Sequence, residues 1–246
     1  MSGHSKWATI KHAKGAADAK RGKIFTKLIK EISIAARMGG GIPDSNPRLR
    51  TAILKARSAN MPKDNIDRAI KKGTGELEGV NYEELAYEAY APGGVALLIE
   101  VMTDNKNRAA ADVRSILTKA GGQLATAGAV TRLFKRLGVI TLDGDKYTED
   151  EVMEAALEGG AEDVSLSDGI IEVTTAPEDF EAVVGALNAK EFETMSAEIS
   201  MVPEADVSLD NDGTAKTIKL IERLEDNDDV QNVYCNISIP DGFVPD

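Results

Sequence analysis

Apolar residues recur at helical spacing three times within the first 75 positions. Ile24, Phe25, Leu28, Ile29, Ile32 and Ala36 fall on one face of a helix predicted from about Ala16 to Met38, which Gly39, Gly40 and Gly41 end. Asn46 followed by Pro47 reads as an N-cap with proline at the first helical position. That second helix carries Leu49, Ala52, Ile53 and Ala56. A third starts near Pro62, presents Ile66, Ala69 and Ile70, and stops at Gly73. Three short amphipathic helices make a small bundle with few apolar residues, marginal in stability alone. Residues 1–15 show no such period. Trp7 and Ile10 are scattered between glycines, so this segment reads as an arm that orders on binding.

Beyond residue 73 the pattern changes. GTGELEGVN (73–81) reads as a linker. Two β-type segments follow, Ala86–Ala91 and Val95–Met102, hinged at Pro92-Gly93-Gly94. A helix from about Arg108 to Ala120 is capped by Asn105 or Asn107 and stopped by Gly121-Gly122. Val130–Phe134 is a further predicted strand. From Gly138 the pattern restarts: strand 139–142, helix 148–159, strands Val164–Ser167 and Ile170–Thr174, helix 177–188, strand Glu193–Ile199. This β-α-β-β-α-β order is the ferredoxin-like split unit. A helix over 213–226 and a strand over 230–239 close the chain. The expected fold is therefore α+β and multidomain. A basic arm and three-helix bundle (1–75) precede an α/β domain (76–134 plus 204–246), into which a ferredoxin-like α/β domain (135–203) is inserted.

Charge divides the chain at the same boundary. The net charge is -12. Residues 1–75 nevertheless hold 17 Lys+Arg against 5 Asp+Glu, and the remainder holds 12 against 36. A basic segment on an acidic body is the signature of polyanion contact confined to one region. Lys20, Lys23, Lys27 and Lys30 form a stripe beside the apolar face of the first helix. Each lysine that neutralises a phosphate releases a counterion, which gives salt-sensitive affinity. Trp7, His4 and His12 add rings that stack on exposed bases, more available in single-stranded RNA than in duplex DNA. A second basic group comprises Arg48, Arg50, Lys55, Arg57, Lys63, Arg68, Lys71 and Lys72. Whether these share one face, and whether they bind or are merely solvated, stays open. The acidic clusters Glu158–Asp163 and Glu222–Asp229 read as solvated surface that repels nucleic acid or docks a basic protein partner.

Other constellations argue for little chemistry. Residues 47–72 admit a helix-turn-helix reading, but Asp64 and Asp67 sit where a recognition helix would enter a groove. The polar run Thr103–Arg108 is either a ligand loop or a turn with a cap. No phosphate-binding or dinucleotide glycine motif is present, and His4 and His12 lack a third metal ligand. Cys235, alone in the chain, reads as core. No cofactor and no catalytic set are expected. No apolar run reaches the roughly 20 residues of a membrane span. The N-terminus also lacks a secretory h-region, so the expectation is a cytoplasmic protein.

The arm GHSKWATIKHAKGAADAKRGKIFTKLIKEI closely resembles the YebC family of bacterial and organellar gene-expression regulators, whose mitochondrial relatives are translational activators of cytochrome oxidase. The likeness continues through NPRLRTAILKARSANMPKDNIDRAIKKG, YEAYAPGG, TDNKNRAAADVR, MEAALEGGAEDV and DDVQNVY. One departure is GGQLATAGAVTRLF, where relatives usually carry a glycine at Ala125 and a serine at Ala129. The resemblance implies three domains, the third inserted in the second, and no enzyme activity. It implies one of two roles. The favoured one is a ribosome-associated translation factor that relieves stalling at proline-rich stretches, its basic N-terminal region on ribosomal RNA. The alternative is a DNA-binding transcriptional regulator. The matching segment would make Lys6, Trp7, Lys11, His12, Lys14, Lys20, Arg21, Lys23 and Lys27 the contacts, with Lys30 continuing the stripe.

Overall fold

The computed structural model describes residues 18–240 and residue 243. Lys6, Trp7, Lys11, His12 and Lys14 lie outside the described residues. Helix α1 (Asp18–Gly39) is the centre of the N-terminal bundle. Helices α2 (Pro47–Ser58) and α3 (Lys63–Thr74) both pack along it and scarcely touch each other. Ile32, Ala35 and Ala36 of α1 meet Leu49, Ala52, Ile53 and Ala56 of α2 and Ile66 and Ala69 of α3 in one apolar cluster. From Ile32 to Ala36 every residue of α1 is buried. Ile34 and Lys30, one turn apart, belong to the side that faces the rest of the molecule. The helix ends follow the sequence signals. Asn46 caps α2 by accepting from the Leu49 amide, Pro47 follows it, and Gly75 ends α3 at φ 83°.

Strands β1 (Glu83–Tyr90) and β2 (Ala96–Thr103) form an antiparallel hairpin. Its turn places Gly93 at φ 82°, in the left-handed region that side chains avoid. Helix α4 (Lys106–Lys119) leads to the short β3 (Gln123–Leu124), which adds to the far edge of β1. A second sheet follows: β4 (Phe134–Asp143), α5 (Glu149–Glu158), β5 (Asp163–Ser167), β6 (Ile170–Thr175), α6 (Phe180–Ala189) and β7 (Thr194–Pro203). Its spatial order is β5-β6-β4-β7, all neighbours antiparallel, as the split β-α-β-β-α-β unit requires. The chain then forms β8 (Val207–Ser208), α7 (Asn211–Glu225), β9 (Val230–Cys235) and β10 (Ile237–Ser238). Strand β9 pairs with β2, so the first sheet runs β3-β1-β2-β9 and is completed by residues 130 positions distant in the chain.

The core of the first sheet lies under α4 and α7, where Leu97, Ile99, Val113, Leu117, Ile218, Ile221 and Leu224 are buried together with Cys235. Each such aliphatic side chain contributes roughly 1.5–3 kcal/mol of burial. Ala96, Leu98, Val130 and Phe134 join Tyr90, Met201 and Tyr234 on the opposite face, and this smaller cluster couples the two sheets. The segment Val130–Phe134 corrects the sequence expectation of a strand. Thr131–Leu133 is a 3-10 turn, and Phe134 already belongs to β4. The cause is Glu88, whose carboxylate accepts the backbone N–H groups of Gly128 (2.6 Å), Val130 (2.5 Å) and Thr131 (2.9 Å) and curls the segment around itself. Partial burial acts to raise that carboxyl, but the three donors outweigh it and hold it below the usual carboxylate range.

Candidate nucleic-acid interface

The lysine stripe of α1 meets the acidic turn that follows α7. Lys23 Nζ donates to the Asp226 carbonyl (3.1 Å) and its carboxylate (3.0 Å), and Lys27 Nζ donates to the Glu225 carbonyl (2.9 Å). Lys30 Nζ donates to the carbonyls of Met102 (3.1 Å) and Asp228 (2.7 Å) and to Asp229 Oδ1 (2.7 Å). The last carbonyls of a helix have no partner within it and carry the negative end of its dipole, so the C-terminus of α7 is a natural seat for cations. Lys20 and Arg21 lie in the first turn of α1.

Lys30 is 5% exposed, as is Asp229. The Asp229 carboxylate also accepts from Thr103 Oγ1 (3.0 Å) and from Arg108 Nε (3.2 Å) and Nη2 (2.8 Å). Burial pushes its carboxyl up, yet the hydrogen bonds from Lys30 and Arg108 win and hold it below the ordinary aspartate value. Lys30 is therefore a structural cation of the junction, and a phosphate has no path to its ammonium. The run Thr103–Arg108 is a turn and cap: Asn105 Oδ1 accepts from the Arg108 amide, and Arg108 bridges Asp104 and Asp229. The acidic run before Asp229 thus docks a basic segment of its own chain.

The second basic group divides in two. Arg48 pairs with Glu31 and Glu84, Arg50 with Glu181 (3.2 Å), and Lys55 with Glu198 (3.5 Å). Glu84 lies on β1, Glu198 on β7 and Glu181 on α6, so these pairs tie the bundle to both α/β units, while Glu31 lies on α1 itself. Arg57, Lys63, Arg68, Lys71 and Lys72 are exposed, and none of them forms a salt bridge with another described residue. Arg57, Lys63 and Lys71 line a groove of about 460 Å³ between α2 and α3. The sequence displayed these cations but not the groove, because helical spacing relates residues within a helix and never across two.

The helix-turn-helix reading of 47–72 finds two helices joined by residues 59–62. They make few contacts with each other, however, each packing mainly on α1, and Asp64 and Asp67 are exposed on α3. Among the described residues no group of three or more His, Cys, Asp or Glu could hold a metal ion, and no helix is long and apolar enough to cross a membrane.

Residues 5–76 match the family model described as the TACO1/YebC protein N-terminal domain, and residues 82–237 match the TACO1/YebC second and third domain. A probable transcriptional regulatory protein of Treponema denticola is 66% identical over 243 residues, covering 99% of this chain and 98% of the relative. One from Syntrophobacter fumaroxidans is 58% identical over 242 residues, covering 98% and 97%. The crystal structure of a conserved hypothetical protein from Aquifex aeolicus superposes with a TM-score of 0.84 at 46% identity, covering 95% of this chain and 96% of that one.

Proposed function

Since the chain belongs to the TACO1/YebC family, we propose that it is a non-enzymatic regulator of gene expression that works on the ribosome. Its basic N-terminal region contacts ribosomal RNA, and the bound protein relieves stalling at proline-rich stretches. The relatives' name, probable transcriptional regulatory protein, supports regulation of gene expression at the coarser level.

The observation that carries the finer reading is the division of charge. The first 75 residues hold 17 Lys+Arg against 5 Asp+Glu, while the body that must lie beside any bound polyanion holds 36 Asp+Glu against 12 Lys+Arg. A long duplex running past the bundle would meet that negative body. An irregular ribosomal site offers folded RNA to the basic segment and basic protein to the acidic one. Lys6, Trp7, Lys11, His12 and Lys14, with Lys20 and Arg21, are the proposed contacts. Lys23 and Lys27 serve both α7 and the RNA-facing edge.

The relatives' name favours a second reading, binding of promoter DNA. One titration separates the two. Full-length protein and a variant lacking residues 1–17 are bound to purified ribosomes and to a long mixed-sequence DNA duplex at one near-physiological salt. Ribosome binding that needs the arm and exceeds DNA binding is the expected result. Arm-dependent binding that is tighter on DNA would transfer the function to transcription.

A further inference from the structure

The part of the bundle that does not touch the body encloses a groove. Helices α2 and α3 pack on α1 with few contacts between them, and Gly41 and Pro43 help line the space they leave. Ile53, Met61, Ile66 and Ile70 make an apolar floor. Arg57, Lys63 and Lys71 stand on the rim. We propose that this groove binds one unstacked nucleotide of single-stranded RNA, its base on the apolar floor and the flanking phosphates on the three rim cations. The proposal rests on the nucleic-acid reading above and gives it a second contact separate from the arm.

Charge complementarity selects this occupant. Lys23, Lys30, Arg48, Arg50 and Lys55 are each tied to a carboxylate of the chain. Arg57, Lys63 and Lys71 form no such pair among the described residues, and they outnumber the two acids of the groove, Asp67 and Glu76, so the rim keeps a net positive charge around an apolar surface. An apolar peptide would leave those cations unmatched. A bare polyanion would leave the floor unused. A nucleotide supplies both halves, a flat face of low polarity and anionic links on either side, and only single strands offer that face outside a base stack. The volume of about 460 Å³ suits one nucleotide within the usual range of ligand clefts. Met61 adapts to a flat ring better than a branched side chain does. Asp67 and Glu76 also line the groove and can accept from exocyclic amino groups, which would fix the edge of the base.

The test uses full-length protein carrying 13C-labelled methionine methyls, with the Met61 resonance identified from Met61→Leu. The probes are a mixed-sequence 12-nucleotide single-stranded RNA and inorganic polyphosphate of similar charge. The RNA is expected to shift the Met61 methyl and polyphosphate to leave it in place. The double variant Arg57→Gln, Lys71→Gln changes only exposed side chains. It should weaken RNA binding at least fivefold and flatten the slope of log affinity against log salt by up to about 1.4, at ~0.7 per single-strand phosphate contact. A Met61 methyl that stays still while arm-dependent RNA binding persists would overturn the groove and leave the function standing. Equal shifts with polyphosphate would reduce it to an anion patch. Wild-type protein that binds neither RNA nor ribosomes would remove the functional reading, and the groove proposal with it.

Discussion

A single buried amide, that of Asn46, ties off two helices. Its Oδ1 accepts from the Leu49 N–H at the start of α2, and its Nδ2 donates to the Ala35 and Gly40 carbonyls (both 2.8 Å) at the end of α1. The forward half was legible in the sequence, since Asn before Pro is a helix-start signal. The backward half was not, because it depends on the chain doubling back through residues 41–45. Losing the cap costs roughly 0.5–2 kcal/mol, and each donated bond adds roughly 0.5–1.5. Asn46→Ala should therefore destabilise the bundle by about 2–4 kcal/mol. Asn46→Asp keeps the acceptor but sets a carboxylate oxygen against the Ala35 and Gly40 carbonyls, so it should be at least as destabilising as Asn46→Ala. Calorimetry of the three proteins checks this, and an Asp variant equal to wild type would show that the donated bonds contribute nothing. Lys30 is the contrasting residue. It reads as one more member of a lysine stripe, and its 5% exposure arises only because Met102 and the turn at 228–229 close over it.

At the scale of elements, helical periodicity located all three bundle helices, but crossing points depend on single residues. A Cβ placed on Gly73 would lie 2.3 Å from the Ser33 carbonyl oxygen and 2.9 Å from Ala36 Cβ, so α3 crosses α1 at van der Waals contact with no room for a methyl. Alanine favours a helix over glycine by about 1 kcal/mol. Overpacking against backbone typically costs about 1–3 kcal/mol, and no rotamer relieves it. Gly73→Ala is expected to lose stability on balance, read as amide exchange in α3 that quickens several-fold while exchange in the two sheets is unchanged. Slower exchange in α3 would mean that propensity wins and the helices can separate at little cost. Strand boundaries were less legible. The run 230–239 alternates like one strand, yet it breaks at Asn236, whose Oδ1 accepts from the Ala96 amide and takes a ladder position from the backbone. Val130–Phe134 has strand-like residues but follows the carboxylate of Glu88, 40 or more residues earlier.

For the whole molecule, the buried pair of Lys30 and Asp229 decides whether the bundle stays on the body. Removing one partner of such a pair strands the other without a countercharge, at a cost of about 3–5 kcal/mol. Asp229→Asn should therefore loosen the bundle, seen in solution scattering as a larger radius of gyration and as rapid proteolysis in 75–81. An unchanged radius would assign the junction to apolar packing. The same carboxylate sets an acid limit. Its folded pKa is depressed below the ordinary aspartate value. Its contribution is thus fully present above the unfolded value of about 3.9 and is lost as pH falls through the lower folded value. The junction should hold from neutral pH down to about 4 and open below it, while Asp229→Asn should show no such acid transition.

By itself the sequence determined the helix-forming spans, the split β-α-β-β-α-β order, the division of charge and the likeness to a known family. All of these are written in local spacing, composition or motif, and local physics reads them. The tertiary structure decided which lysines remain available. It buries Lys30, seats Lys23 and Lys27 on the end of α7, spends Arg48, Arg50 and Lys55 on acids of the body, and leaves Arg57, Lys63 and Lys71 around an apolar groove. The physical reason is that a charge acts through what lies within a few ångströms of it, and for residues 200 positions apart only the folded chain sets that distance.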